Sequence, residues 1–146
     1  MSDERLTGAV QLPEGGGWVR GRGYRKPLPG GPQPSYGLYL GSARVRRKLD
    51  HAWAHDWIEW PDFLLPRDTP GAVRLIRALH GRVAAGELAE VACGGGVGRT
   101  GTVLSCLAVL SGLTPDDAIA WTRASYHPRA VETPWQRRWI ARFPAA

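Results

Sequence analysis

Cys93 and Arg99 enclose the run Gly94-Gly95-Gly96-Val97-Gly98, and Thr100 and Gly101 follow directly. A tetrahedral dianion needs several backbone N–H groups converging on its oxygens, and the positive end of a helix dipole. A loop that turns its amides inward must adopt left-handed or strained torsions, which glycine tolerates best. Gly94, Gly95, Gly96 and Gly98 meet that need, with Val97 contributing its own N–H. Arg99 can grip two phosphoryl oxygens with its planar fork, which lysine cannot do in the same way. The same positive field favours the thiolate of Cys93, the form that attacks phosphorus. Thr100 stands beside Arg99, where its hydroxyl can steady that thiolate as it leaves. The chemistry on offer is nucleophilic transfer of a phosphoryl group.

Three other readings use the same residues. Gly96, Gly98 and Gly101 have the spacing of a dinucleotide-binding turn, which requires a second strand ending in an acid about 20 positions on. A helix start at Asp116 and Asp117 stands there instead. A Walker-type loop would carry glycine at position 93 and lysine at position 99. The plain alternative is a tight strand-to-helix turn with a buried cysteine, and four glycines in the turn speak against it.

Attack by a thiolate expels an alkoxide or phenolate. A phenol has a pKa of about 10, so a neutral carboxylic acid within reach speeds its departure. Trp60-Pro61-Asp62-Phe63 supplies one upstream of Cys93. Pro61 stiffens the segment, and Trp60 and Phe63 are apolar anchors expected to bury Asp62 and favour its protonated form. Once ionised, the same group can take a proton from the water that cleaves the phosphocysteine. Asp68 is the second candidate acid, but its Arg-Asp-Thr-Pro setting reads as the turn before a helix cap.

Cys-x5-Arg-Thr-Gly between a strand and a helix resembles the phosphate loop of the protein tyrosine and dual-specificity phosphatase superfamily. Trp60-Pro61-Asp62-Phe63 resembles its mobile acid loop, and Val131-Glu132-Thr133-Pro134-Trp135-Gln136 its glutamine loop. The resemblance implies that Gln136 positions the hydrolytic water. It also implies a phosphomonoester hydrolase of the compact prokaryotic type, a protein tyrosine phosphatase, that needs no metal or cofactor. Expected partners are phosphorylated proteins or peptides, phosphotyrosine preferred, with phosphate or other oxyanions in the site. The loop lacks the lysines that phosphoinositide phosphatases of the superfamily carry between Cys and Arg. One departure stands out: Ala92 occupies the place of the usual histidine, and it supports the alternative of a phosphate-binding pseudophosphatase that recognises phosphorylated partners without turnover.

The elements that must position these residues follow from local signals. Tyr36–Ser42 reads as a buried strand, 43–56 as a basic helix, and Trp57–Trp60 as a strand stopped by Pro61. Thr69 and Pro70 start a helix whose apolar residues recur to Val83 and which stops near Gly86. Leu88–Cys93 is a compact apolar strand, followed by a helix from Thr100 to Ser111. Thr114 and Thr133 cap two further helices, the last ending near Arg142. Residues 14–35 are rich in glycine and proline and read as loops with at most one short strand. The expectation is a single α/β domain over residues 1–146, with a central, mostly parallel sheet flanked by helices. The strand near 57–60, the helix and the strand near 88–93 form a βαβ unit.

Bulk properties agree. A chain of 146 residues holds one ordinary core, and 43% hydrophobic content is that of a globular protein. The net charge of +6 comes from arginine, the only lysines being Lys26 and Lys48, and it attracts anionic substrates. No nucleic-acid or membrane partner is expected. The amino terminus lacks an apolar stretch of signal-peptide length, and two cysteines make no disulfide framework, so a cytoplasmic setting is expected. Cys106 reads as a core thiol. His51 and His55 have helical metal-ligand spacing but no third ligand. Trp53, Trp57, Trp121, Trp135 and Trp139 read as core.

Overall fold

Side-chain oxygens written into the sequence start four of the five α-helices among the described residues. Ser42 caps α1 (Ala43–Arg46), and Asp68, accepting from the Gly71 N–H, caps α2 (Thr69–Ala84). Thr114 caps α4 (Pro115–Ser125), and Thr133 caps α5 (Pro134–Arg142). The cap of α2 is therefore Asp68 itself, one residue before the expected Thr69. The fifth, α3 (Gly98–Leu110), has Val97 at its N-cap and no side-chain cap at all. The computed structural model describes residues 4–145.

Five strands form one sheet: β1 (Val10–Gln11), β2 (Trp18–Gly23), β3 (Tyr36–Gly41), β4 (Ala54–Glu59) and β5 (Ala89–Cys93). Their order is β1-β2-β5-β3-β4, and only the β1–β2 pair is antiparallel. The result is a single α/β domain built on a mostly parallel sheet. The βαβ unit exists as β4-α2-β5, but β3 lies between its two strands. The glycine-rich early region holds the one short strand that its sequence allows. It supplies β2, an internal strand paired in parallel with β5, so that Gly23 lies opposite Cys93.

The expected helix over 43–56 is a single turn. The following chain is drawn onto β3 instead: His51 stacks flat on Tyr39 at 4.0 Å, and the Trp53 indole donates to the Tyr39 hydroxyl at 2.6 Å. His51 and His55 thus share no helix, and β4 begins at Ala54, earlier than expected.

Alternation along the strands divides the two faces of the sheet. Leu38 and Leu40 of β3, and Val91 and Cys93 of β5, join Ile76, Leu79 and Val83 of α2 and Leu104 and Leu107 of α3 in one core. Each fully buried Leu, Ile or Val contributes about 1.5–3 kcal/mol relative to an exposed one. Helices α4 and α5 pack outside α3, adding Ala118, Ile119 and Ile140.

The opposite face carries a buried polar network. Glu90 on β5 accepts from Arg20 at 2.6 and 2.9 Å, from Arg22 at 2.9 Å on each oxygen, and from the Tyr39 hydroxyl at 2.7 Å. Burial alone would push Glu90 up, but hydrogen bonds from Arg22, Tyr39 and Arg20 and the charge of Arg22 outweigh it and hold the carboxyl below its ordinary value. Its contribution to stability is present above pH 4.5, the ordinary value, and is lost as pH falls through the lower folded value. Thermal melts should therefore show the transition dropping as acid is added below that point. Glu90→Ala, which strands two buried arginines, should cost on the order of 3–5 kcal/mol at neutral pH and flatten the acid limb. An unchanged acid limb would show that Glu90 does not carry it.

Candidate active site

Strand β5 delivers Cys93 to the carboxyl end of the sheet, and α3 begins five residues later. Because Val97 provides no cap, the first N–H groups of α3 are left to the loop that precedes them, together with the positive end of its dipole. Cys93 Sγ is buried and accepts from the Gly96 N–H at 3.3 Å. Gly96 has a positive φ of 77°, and a side chain there would strike the backbone of Arg22 and Gly23. At this point glycine is required on both counts.

The loop is braced from outside. The Tyr24 N–H donates to the Cys93 carbonyl at 2.9 Å, and the Arg25 N–H to the Gly94 carbonyl at 3.2 Å, extending the β2–β5 pairing past the strand ends. The Arg25 guanidinium lies against Gly94, where a Cβ would sit 2.9 Å from its central carbon. No side chain approaches Gly95 from across the loop, whereas the Glu132 carboxylate fills the space beside Gly98.

Arg99 is buried and joins the phosphate loop to the acid segment. Its Nη1 donates to the Trp60 carbonyl at 2.9 Å, and its Nη2 lies 3.4 Å from Asp62 Oδ1. Asp62 also accepts from the Phe63 N–H at 3.0 Å. The carboxyl is not buried between aromatics as expected. Trp60 is fully buried, but Phe63 is half exposed and Asp62 is 47% exposed. The chain turns outward at Phe63, whose φ is +61°. The Trp135 indole donates to the Phe63 carbonyl and latches the acid segment to the start of α5. Trp135 is accordingly an exposed latch and not a core residue.

Gln136 is fully buried, and its Oε1 accepts from the Glu132 and Thr133 N–H groups at 2.8 and 3.3 Å, completing the capping box of α5. Among the described residues, three buried side-chain polar atoms lack a hydrogen-bond partner: Arg99 Nε, Thr100 Oγ1 and Gln136 Nε2. Buried polar groups are nearly always satisfied, and exceptions gather where a ligand is meant to bind. All three belong to residues that the sequence nominates. Nε and Nη2 form one edge of the guanidinium, able to grip two oxygens; Nε has no partner, Nη2 meets Asp62, and Nη1 anchors the group to Trp60.

Residues that sequence reasoning missed complete the surroundings. Tyr24 is half buried, with its hydroxyl on the Leu40 carbonyl at 2.9 Å and its ring 6.1 Å from Trp57. Burial raises its pKa, opposed by the nearby Arg99 charge and reinforced by Cys93, so the phenol borders the site. The Arg123 guanidinium donates to the Ala130 and Val131 carbonyls, both at 2.9 Å, and straps the loop leading to Gln136. Cys106 is buried within α3, and burial pushes its thiol well up.

Residues 68–140, half of the chain, match the family described as Swiss Army Knife protein, DSP-PTPase phosphatase domain. The chain belongs to this phosphatase family. The matched span holds Cys93, Arg99, Thr100 and Gln136, while Asp62 lies just before it. The phosphatase is similar to the solved structure of Tk-PTP in the active form, at 25% identity and a TM-score of 0.62 over 73% of this chain and 76% of that one. It is also similar to the Yvh1 phosphatase domain from Chaetomium thermophilum, at 16% identity and a TM-score of 0.61 over 94% and 99%. PTPMT1 in complex with PI(5)P matches at 14% identity and a TM-score of 0.60 over 75% and 76%. At those identities the last two show the shared fold. A comparison with curated proteins gave no match. Among the described residues no helix of the phosphatase is long and apolar enough to cross a membrane.

Proposed function

We propose that this phosphatase hydrolyses phosphotyrosine in proteins through a phosphocysteine on Cys93. The observation that carries the reading is the meeting of Arg99 with Asp62 at 3.4 Å, with Arg99 in the first turn of a helix that has no side-chain cap and that follows the Cys93 loop. The phosphoryl group takes the Nε–Nη2 edge of Arg99 and the loop amides of residues 94–99, displacing Asp62 from Nη2. The Cys93 thiolate forms the S–P bond as the P–O ester bond breaks, and Asp62 gives its proton to the leaving phenolate. A water then attacks phosphorus and gives its proton to the Asp62 carboxylate. The S–P bond breaks, inorganic phosphate departs, and the thiolate returns. Thr100 Oγ1 steadies that thiolate, and Gln136 Nε2 orients the water. Side chains and backbone supply every step, with no metal or cofactor.

Two features support an aryl phosphate. Tyr24, whose N–H meets the Cys93 carbonyl, brings an aromatic ring to the strand end that carries the loop, suited to the flat face of a tyrosine ring. Residues 94–98 carry no cation of their own for a polyphosphorylated headgroup. The test is a turnover comparison of one peptide bearing phosphotyrosine, phosphoserine or phosphothreonine, alongside vesicles containing PI(5)P. kcat/KM for the phosphotyrosyl peptide should exceed each of the others at least about tenfold, a difference of one well-fitted group in a pocket. Equal or better turnover of the lipid or of phosphoserine would overturn the substrate assignment. Tight binding of all the peptides without turnover would identify a pseudophosphatase.

A further inference from the structure

The phosphate loop has three consecutive glycines, so its peptide planes can flip at little cost unless something outside holds them. Ala92, on the strand before Cys93, has no polar side chain with which to do so. One side chain grips the loop from the far side. Tyr126, at the end of α4, donates its hydroxyl to the Gly96 carbonyl. Its own N–H is tied to the Thr122 carbonyl at 2.9 Å, and its ring lies on β2 at Gly21, where a Cβ would come within 2.7 Å of the ring. Gly21 is thus the gap that lets the phenol reach the loop.

That hydrogen bond fixes the peptide joining Gly96 to Val97. The described chain has no cis peptide, so the carbonyl and N–H of this unit point in opposite directions. With the carbonyl drawn outward to Tyr126, the Val97 N–H is turned away from it. The preceding peptide is fixed by the Gly96 N–H on Cys93 Sγ. We propose that Tyr126 is a positioning residue that locks the 96–97 peptide with its N–H facing the phosphoryl oxygens, doing from outside the loop what Ala92 cannot do from the strand. The proposal rests on the phosphate-loop reading given above. Burial, reinforced by the charge of Cys93, keeps the phenol protonated and hence a donor across the working pH range.

Tyr126→Phe removes the hydroxyl and keeps the ring against Gly21, so the fold is retained. Inorganic phosphate is titrated calorimetrically into full-length Cys93→Ser with and without Tyr126→Phe, and the pH profile of Cys93 alkylation is measured in Tyr126→Phe alone. Phosphate affinity should fall roughly 5- to 10-fold, the worth of about one net hydrogen bond. The alkylation profile should move to higher pH, with the thermal transition little changed. Unaltered phosphate affinity and an unmoved profile would overturn the role of Tyr126. If phosphate bound to neither protein, the phosphate-loop reading itself would fall, and the proposal with it.

Discussion

Cys93→Ser should abolish hydrolysis of an aryl phosphate while leaving the protein folded and able to bind phosphate. The argument is electrostatic. The Gly96 N–H is directed onto Sγ, and the helix that follows the loop has no side-chain cap; donors and helix starts of this kind favour anions in general. A serine hydroxyl in the same place stays protonated, and no histidine or other general base neighbours it in the chain, Ala92 and Gly94 being its flanks. In the proposed mechanism the nest for the phosphoryl oxygens is made of loop amides and Arg99, none of which the substitution removes. Turnover should fall below detection, and the calorimetric phosphate signal should persist. Retained turnover would end the mechanism.

Asp62→Asn should lower kcat by about 10²–10⁴ for a phosphotyrosyl peptide, the usual worth of a positioned general acid. The loss should shrink for an aryl phosphate whose leaving group is already a weak base. KM should change little, because Asp62 is half exposed and its 3.4 Å contact with Arg99 adds little to binding or stability. A steady-state comparison across a leaving-group series checks this. Equal losses on good and poor leaving groups would remove Asp62 from its role, and Asp68 could not take its place, since its carboxylate is committed to the cap of α2.

The parts of the molecule that were legible in the sequence are those whose causes are local. Caps and prolines announce α2, α4 and α5, and the strand–glycine loop–helix unit is continuous in the chain. The separation of Cys93 and Arg99 along the chain is there to be counted. What escaped reading depends on partners far away in sequence. Strand β2 was hidden because Gly21 and Gly23, which weaken any strand signal, are there to admit the Tyr126 ring and the backbone of Gly94 and Gly95. Arg20 and Arg22 meet Glu90 some 70 positions on, although a lone glutamate within an apolar strand is itself a sign that cations must lie opposite. The run 43–56 has helical composition, yet stacking of His51 and the Trp53 hydrogen bond on Tyr39 overrule it. Tyr24 and Tyr126 touch the site only through tertiary contacts, and nothing in their neighbours marks them; Trp135 stands beside Gln136, but its hold on Phe63 is likewise tertiary. The exposure of Asp62 was misjudged because Phe63 turns outward and leaves only Trp60 buried.

The claim on which the rest depends is that phosphorus passes through sulfur. Rapid acid quench of the enzyme during turnover of a labelled phosphotyrosyl peptide, followed by mass spectrometry of its fragments, reads this directly. Phosphate should be found on the fragment containing Cys93, in a linkage with the lability of a thiophosphate ester, and should disappear as substrate is exhausted. Turnover that proceeds with Cys93 unmodified at every time point, or with phosphate on another residue, would contradict the account.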